Sequence, residues 1–202
     1  MPQGDMHMPD DFQPGQMPQN DMQIPDDFQP EQMPHGDQPG QGGKGGGMGS
    51  DDVKLKYIDD NYDSYTNIFN NAKTKITNTD KDRLIASLKN LSEYKAIENT
   101  INMEEVLRYF VIHNFVCNED SYTGTMVHNY YLYEEDGKLS MIPWDYNLAF
   151  GTFQGNDASG IINSSIDSPV NGDVNDRPMV GWIFSHEKYI EMYHTLFNDF
   201  IN

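Results

Sequence analysis

The chain has 202 residues, with 32 acids against 13 Lys plus Arg and a formal net charge of −19. That balance argues against nucleic acid or an anionic membrane surface as partner, and favours cations, basic proteins or simple solubility. No run approaches the roughly 20 apolar residues of a membrane span, Met1-Pro2-Gln3-Gly4-Asp5 lacks the basic start and apolar core of a signal peptide, and Cys117, the only cysteine, leaves no intramolecular disulfide.

Residues 1–49 hold 10 of the 17 glycines, 8 of the 11 prolines and 7 of the 12 methionines. Their eight acids and one lysine give −7. Phe12, Ile24 and Phe28 are their only other sizeable apolar side chains. Such a segment cannot bury enough surface to offset the entropy of ordering it, which predicts a disordered low-complexity arm. The remainder, 50–202, suits one compact domain. Within the arm, Asp5-Met6-His7-Met8-Pro9-Asp10-Asp11-Phe12 returns 16 residues later as Asp21-Met22-Gln23-Ile24-Pro25-Asp26-Asp27-Phe28. Two copies are too few to stack into a solenoid. Gly40, Gly42 and Gly45 fit G-x-G-x-x-G, but no strand signal precedes them, so they read as flexible linker rather than a phosphate loop.

Structure is predicted from about Asp51. Tyr65, Ile68, Phe69, Ala72 and Ile76 share one helical face. A second helix runs from about Asp80, with Leu84, Ile85, Leu88 and Leu91 as its stripe. A third starts at Asn102, an N-cap with Glu105 three residues on as in a capping box. Its stripe of Val106, Leu107, Phe110, Val111 and Phe115 should be the best buried.

The period then changes. His128 to Glu134 reads as a strand, Asp136-Gly137 as a two-residue hairpin turn, and Lys138 to Trp144 as the return strand. Residues 152–178, rich in Gly, Asn, Ser and Asp, read as a long irregular loop. A final helix starts at Ser185, with Ile190, Tyr193, Leu196, Phe197 and Phe200 on its buried face.

Three positions carry chemistry. Asp145 follows an apolar run and precedes Phe150-Gly151. Asn129 stands sixteen residues before it, and Asp120 nine before that. An acid, an amide and a second acid before a glycine turn is the order of a phosphoryl-transfer site, in which one group positions the nucleophile and two oxygen ligands hold magnesium on the phosphates. Each residue also has a plainer reading. Asp145 could be a surface turn acid, and Asn129 could fix a loop through backbone hydrogen bonds. Asp120 could accept a substrate hydroxyl proton, or be a helix-end acid beside Glu119. Asn147 could share a cation with Asp145, or be a turn residue. His113 reads as a satisfied core histidine, whereas His128, beside Asn129, could orient the catalytic loop. No cysteine pair or His-x3-His suggests zinc, and no Gly-x-Ser-x-Gly suggests a hydrolase.

With His128-Asn129-Tyr130-Tyr131-Leu132-Tyr133, the hairpin, and Ile142-Pro143-Trp144-Asp145-Tyr146-Asn147-Leu148-Ala149-Phe150-Gly151, the chain resembles the spore-coat protein CotH kinase family from about residue 50 to the end. The resemblance implies an α+β fold like the large lobe of a protein kinase. It also implies ATP and Mg2+ as cofactors, and transfer of the γ-phosphoryl group to Ser or Thr of proteins, with the spore coat or cell surface as the place of action. By it Asp145 is the magnesium-binding acid, Asn129 the second metal ligand and Asp120 the catalytic acid. Two departures stand out. Many members carry Asp where this chain has Asn147, and Asp120 to Asn129 spans nine residues against about five in the usual kinase catalytic loop. No segment before residue 50 supplies an ATP-gripping lobe, and Lys54 and Lys56 are weak substitutes. The expectation is therefore the C-terminal part of a longer CotH-like kinase. The alternative is a non-catalytic coat or surface assembly module with an incomplete site.

Overall fold

In the computed structural model, residues 49–153, 158–161 and 163–202 are described, and all lie in the compact unit Gly43–Asn202. The expected arm over residues 1–49, its repeat and the glycine run lie outside the described residues, Gly49 apart. The architecture is α+β: helices around one two-stranded antiparallel sheet.

A 3-10 turn, Tyr62–Tyr65, leads into α1, Thr66–Asn70. The predicted helix thus stops short of Ala72 and Ile76, and Ala72 is exposed. Helix α2, Asn78–Ser92, begins two residues earlier than expected because Thr77 caps it in a capping box with Asp80. Ile85, Leu88 and Leu91 of its stripe are buried. A short α3, Ile97–Thr100, precedes α4, Met103–Phe115.

Helix α4 is the expected buried helix, with Val106, Leu107 and Phe110 fully enclosed. Two details differ. The Asn102 side chain makes no capping hydrogen bond. Its backbone N–H donates instead to Leu139 O at 2.9 Å, and Glu105 accepts the Ser140 hydroxyl. These long-range partners displaced the local capping box. Phe115 is also exposed, at the end of the stripe.

Strands β1, Tyr130–Glu135, and β2, Lys138–Pro143, pair from Tyr130–Pro143 to Glu135–Lys138. Asp136 and Gly137 both take positive φ, 50° and 79°, as the tight hairpin turn requires. Leu139 and Met141 are buried on the inner face. Tyr131, Tyr133, Ile142 and Trp144 are exposed, with Tyr131 stacked on Trp144 at 5.8 Å and 19°. Side chains alternate across a pleated strand, so β1 half-buries one face and opens the other.

The stretch expected to be irregular contains helix α5, Ala158–Ile161, a 3-10 turn at Val174–Asp176 and helix α6, Pro178–Gly181. Pro178 sits in the first turn of α6, where its missing N–H costs nothing. Helix α7, Glu187–Ile201, closes the chain, with Tyr193 and Phe197 buried and Phe200 exposed. The core includes Trp182, fully buried, whose indole N–H donates to Met179 O at 2.8 Å. Among the described residues no helix is long and apolar enough to cross a membrane.

Candidate functional site

The site is built on the end of α4. The helix stops in a reciprocal pair of backbone bonds: Asn118 N donates to His113 O at 3.0 Å, and Cys117 N to Asn114 O at 3.2 Å. This is a Schellman arrangement, which needs a left-handed residue after the helix, and Cys117 supplies it with φ 48°. The turn brings Asn118, Asp120 and Ser121 indoors, all buried.

The loop folds tightly on itself. Ser121 Oγ donates to Asn118 O at 2.7 Å, and Gly124 N to Ser121 O at 3.2 Å. A Cβ on Gly124 would fall 1.7 Å from Glu119 O, so only glycine fits there. Arg177 holds the loop from outside. It is buried, and donates through Nε to Tyr122 O at 3.0 Å and through Nη2 to Gly124 O at 3.1 Å.

Asp120 is gripped by the residues that lead into β1. Asn129 Nδ2 donates to its carboxylate Oδ2 at 3.0 Å and to its backbone O at 2.9 Å. His128 Nε2 lies 2.7 Å from Oδ1. Asp120 and Asn129, nine residues apart in the sequence, are therefore in direct contact. Both readings of Asn129 meet here. Its amide N fixes a loop, which leaves its Oδ1 as the atom able to take a cation.

Beyond the last strand pair, Tyr130–Pro143, the open end of the hairpin is flanked by Asn129 on one side and by Trp144 and Asp145 on the other. Asp145 is exposed, with φ 58°. Among the described residues its carboxylate takes part in no hydrogen bond or ion pair. The turn after it is tied to α4: Phe150 N donates to Val116 O at 2.6 Å and Gly151 N to Cys117 O at 3.4 Å. Phe150 is again left-handed, φ 58°. Left-handed backbone costs most non-glycine residues about 1–2 kcal/mol, and Asn and Asp, which tolerate it, less; Cys117, Val127, Asn129, Asp145 and Phe150, all left-handed, lie on the segments that build this site. Asn147 is exposed in the same turn, without a side-chain partner among the described residues.

His113 is buried, but only half satisfied. Its Nδ1 contacts Tyr109 O and the Tyr146 hydroxyl, each at 3.1 Å, and Nε2 has no partner among the described residues. Burial pushes its pKa down from 6.5 to about 4, so the ring is neutral at ordinary pH. Lys56 is engaged by Asp176 at 2.8 Å and Lys54 by Asp51 at 3.7 Å. Among the described residues no group of three or more His, Cys, Asp or Glu is arranged to hold a metal ion.

Sequence reasoning missed Arg177 and Gly124. Arg177 sits in a stretch read as loop, and nothing local marks a guanidinium that bonds to carbonyls over 50 residues away. The Thr123-Gly124 pair after a helix end was the visible signal for the second.

No curated protein and no solved structure matches the chain. Residues 46–202 match the family model described as CotH kinase protein. That match spans most of the chain and includes the hairpin, Asp120, Asn129 and Asp145, so the chain belongs to the CotH kinase protein family.

Proposed function

We propose that the protein is a CotH-like protein kinase, transferring the γ-phosphoryl group of ATP to Ser or Thr side chains of proteins with Mg2+. Residues 50–202 carry the part of the fold that corresponds to a kinase large lobe. Asp120 orients the substrate hydroxyl and accepts its proton. Asp145 and Asn129, with Asn147 beside them, hold the metal against the phosphates. The acidic surface suits basic protein substrates.

The observation that carries this reading is the commitment of the Asn129 amide. Nδ2 faces the Asp120 carboxylate and carbonyl, which are acceptors only, so Oδ1 is the free ligand atom. Asp145 supplies an exposed carboxylate at the same end of the hairpin. One carboxylate and neutral amide oxygens form a hard, sparse donor set. Magnesium fits it, because magnesium is usually held by one or two carboxylates together with substrate phosphates. The exposed Tyr131–Trp144 stack beside these residues offers an aromatic face on which a purine could lie.

The test is transfer from radiolabelled ATP to a basic protein acceptor, wild type against Asp145→Asn, with circular dichroism as fold control. Loss of the ligand charge should reduce transfer by about a hundredfold or more at unchanged fold. Equal transfer by the two removes Asp145 from the site. A folded wild type that transfers nothing favours the coat or surface assembly module instead.

A further inference from the structure

We infer that His128 is a positioning residue for Asp120, holding one carboxylate oxygen while Asn129 holds the other. The inference rests on the proposed kinase reading for its consequence, but its geometry stands alone. His128 Nε2 is 2.7 Å from Asp120 Oδ1, and Asn129 Nδ2 is 3.0 Å from Oδ2. Two adjacent residues thus contact one carboxylate. In a regular strand adjacent side chains point to opposite faces, so this cannot happen there.

The backbone explains how it happens here. Val127 and Asn129 flank His128, and both are left-handed, with φ 53° and 57°. This breaks the alternation just before β1 begins at Tyr130. A β-branched residue at positive φ is a true outlier. Val127 is also buried, so the packed surroundings enforce the conformation. Strain of this kind persists only where the structure over-determines it, and it gathers at functional sites. What it achieves at residues 127–129 is the two-sided grip on Asp120.

The chemistry then fixes the tautomer. A nitrogen lone pair and a carboxylate oxygen repel at 2.7 Å, so the proton must sit on Nε2. Nδ1 is buried and, among the described residues, has no partner. The ring is thus aimed through Nε2 alone, at Asp120. With one lone pair engaged on each oxygen, the carboxylate plane is set while each oxygen keeps a lone pair to accept a proton. Without His128, Asp120 would keep the Asn129 contact and rotate about it.

Glutamine places a donor where histidine has Nε2, and asparagine places one where it has Nδ1. The experiment therefore compares His128→Gln, His128→Asn and His128→Ala in phosphoryl transfer, with 15N imidazole NMR on the wild type and on Asp120→Asn. We expect His128→Gln to stay within about threefold of wild type, and the other two to lose about tenfold or more in kcat at unchanged KM for ATP, as a misaligned general base would. We also expect His128 to give the Nε2–H pattern, and its ring signals to move in Asp120→Asn. Equal kcat in His128→Ala and wild type, or asparagine serving as well as glutamine, overturns the proposal. If the wild type transfers no phosphoryl group, the kinase reading fails, and NMR alone decides. An Nδ1–H tautomer, or His128 signals unmoved by Asp120→Asn, then refutes the positioning role.

Discussion

The Asn129 side-chain amide donates to both the carboxylate and the backbone carbonyl of Asp120, nine residues earlier, at 3.0 and 2.9 Å. A catalytic acid and a metal ligand of the proposed site are thereby one mechanical unit. Whatever moves Asn129 moves Asp120, and the left-handed backbone at Asn129 holds both in place.

Replacing Asn129 should therefore affect stability as well as activity. Asn129→Ala and Asn129→Gly both leave two buried Asp120 acceptors short of a donor, at about 1–3 kcal/mol. They differ in the backbone. Alanine at φ 57° adds strain of about 1–2 kcal/mol, whereas glycine adds only an unfolded-state entropy of about 0.5–1 kcal/mol. The glycine variant should be the milder by roughly 0.5–1 kcal/mol on these figures. Urea denaturation of the two decides it. A glycine variant that is clearly less stable than alanine contradicts the assigned strain.

Arg177 is the second support. Arg177→Met removes a buried charge that has no ion-pair partner among the described residues, a gain, but leaves the buried Tyr122 and Gly124 carbonyls, and the adjacent Asp176 carbonyl, without their guanidinium donor. With about 1–3 kcal/mol for each unmet acceptor, net loss should win, at roughly 2–4 kcal/mol. Arg177→Lys keeps the charge and should recover less than half, because an ammonium lacks the planar fork that reaches both carbonyls. A lysine variant as stable as wild type in the same denaturation series argues that charge, not geometry, fixes the loop.

His113 gives the fold a pH dependence with a definite sign. Its folded pKa, about 4, lies below the ordinary 6.5. Above pH 6.5 neither folded nor unfolded ring is protonated, and stability is full. As pH falls, the unfolded ring protonates first, so stability declines until the folded ring also protonates near pH 4. The loss attributable to His113 is on the order of 3 kcal/mol in total. His113→Asn keeps a donor at the Nδ1 position and cannot titrate. Its stability should fall less than wild type between pH 6.5 and 4.5, measured by denaturant midpoints. Parallel curves for the two proteins would dismiss the ring as the source.

The local signals in the sequence were decisive wherever neighbours along the chain make the structure. Asp136-Gly137 gave the hairpin because two positive φ angles are needed there, and an Asp-Gly pair tolerates them. The stripe of Ile85, Leu88 and Leu91, and that of Val106, Leu107 and Phe110, gave α2 and α4 because burial follows the helical period. The motifs on either side of that turn, each contiguous in the chain, marked Asn129 and Asp145 as candidates, and the hairpin sets both at its open end.

Tertiary structure decided what depends on distant partners. The apolar positions Ala72 and Ile76 continued a helical period, yet α1 ends at Asn70, since a helix this short is held by packing rather than propensity. Glu105 left its expected cap for Ser140, because a long-range hydroxyl competed successfully with a local N–H. The grip of His128 and Asn129 on Asp120, and of Arg177 on the loop beyond it, exists only in the folded chain. Sequence supplied the donors and acceptors there; left-handed backbone at Cys117, Val127 and Asn129, the last two of them buried, decided which of them meet.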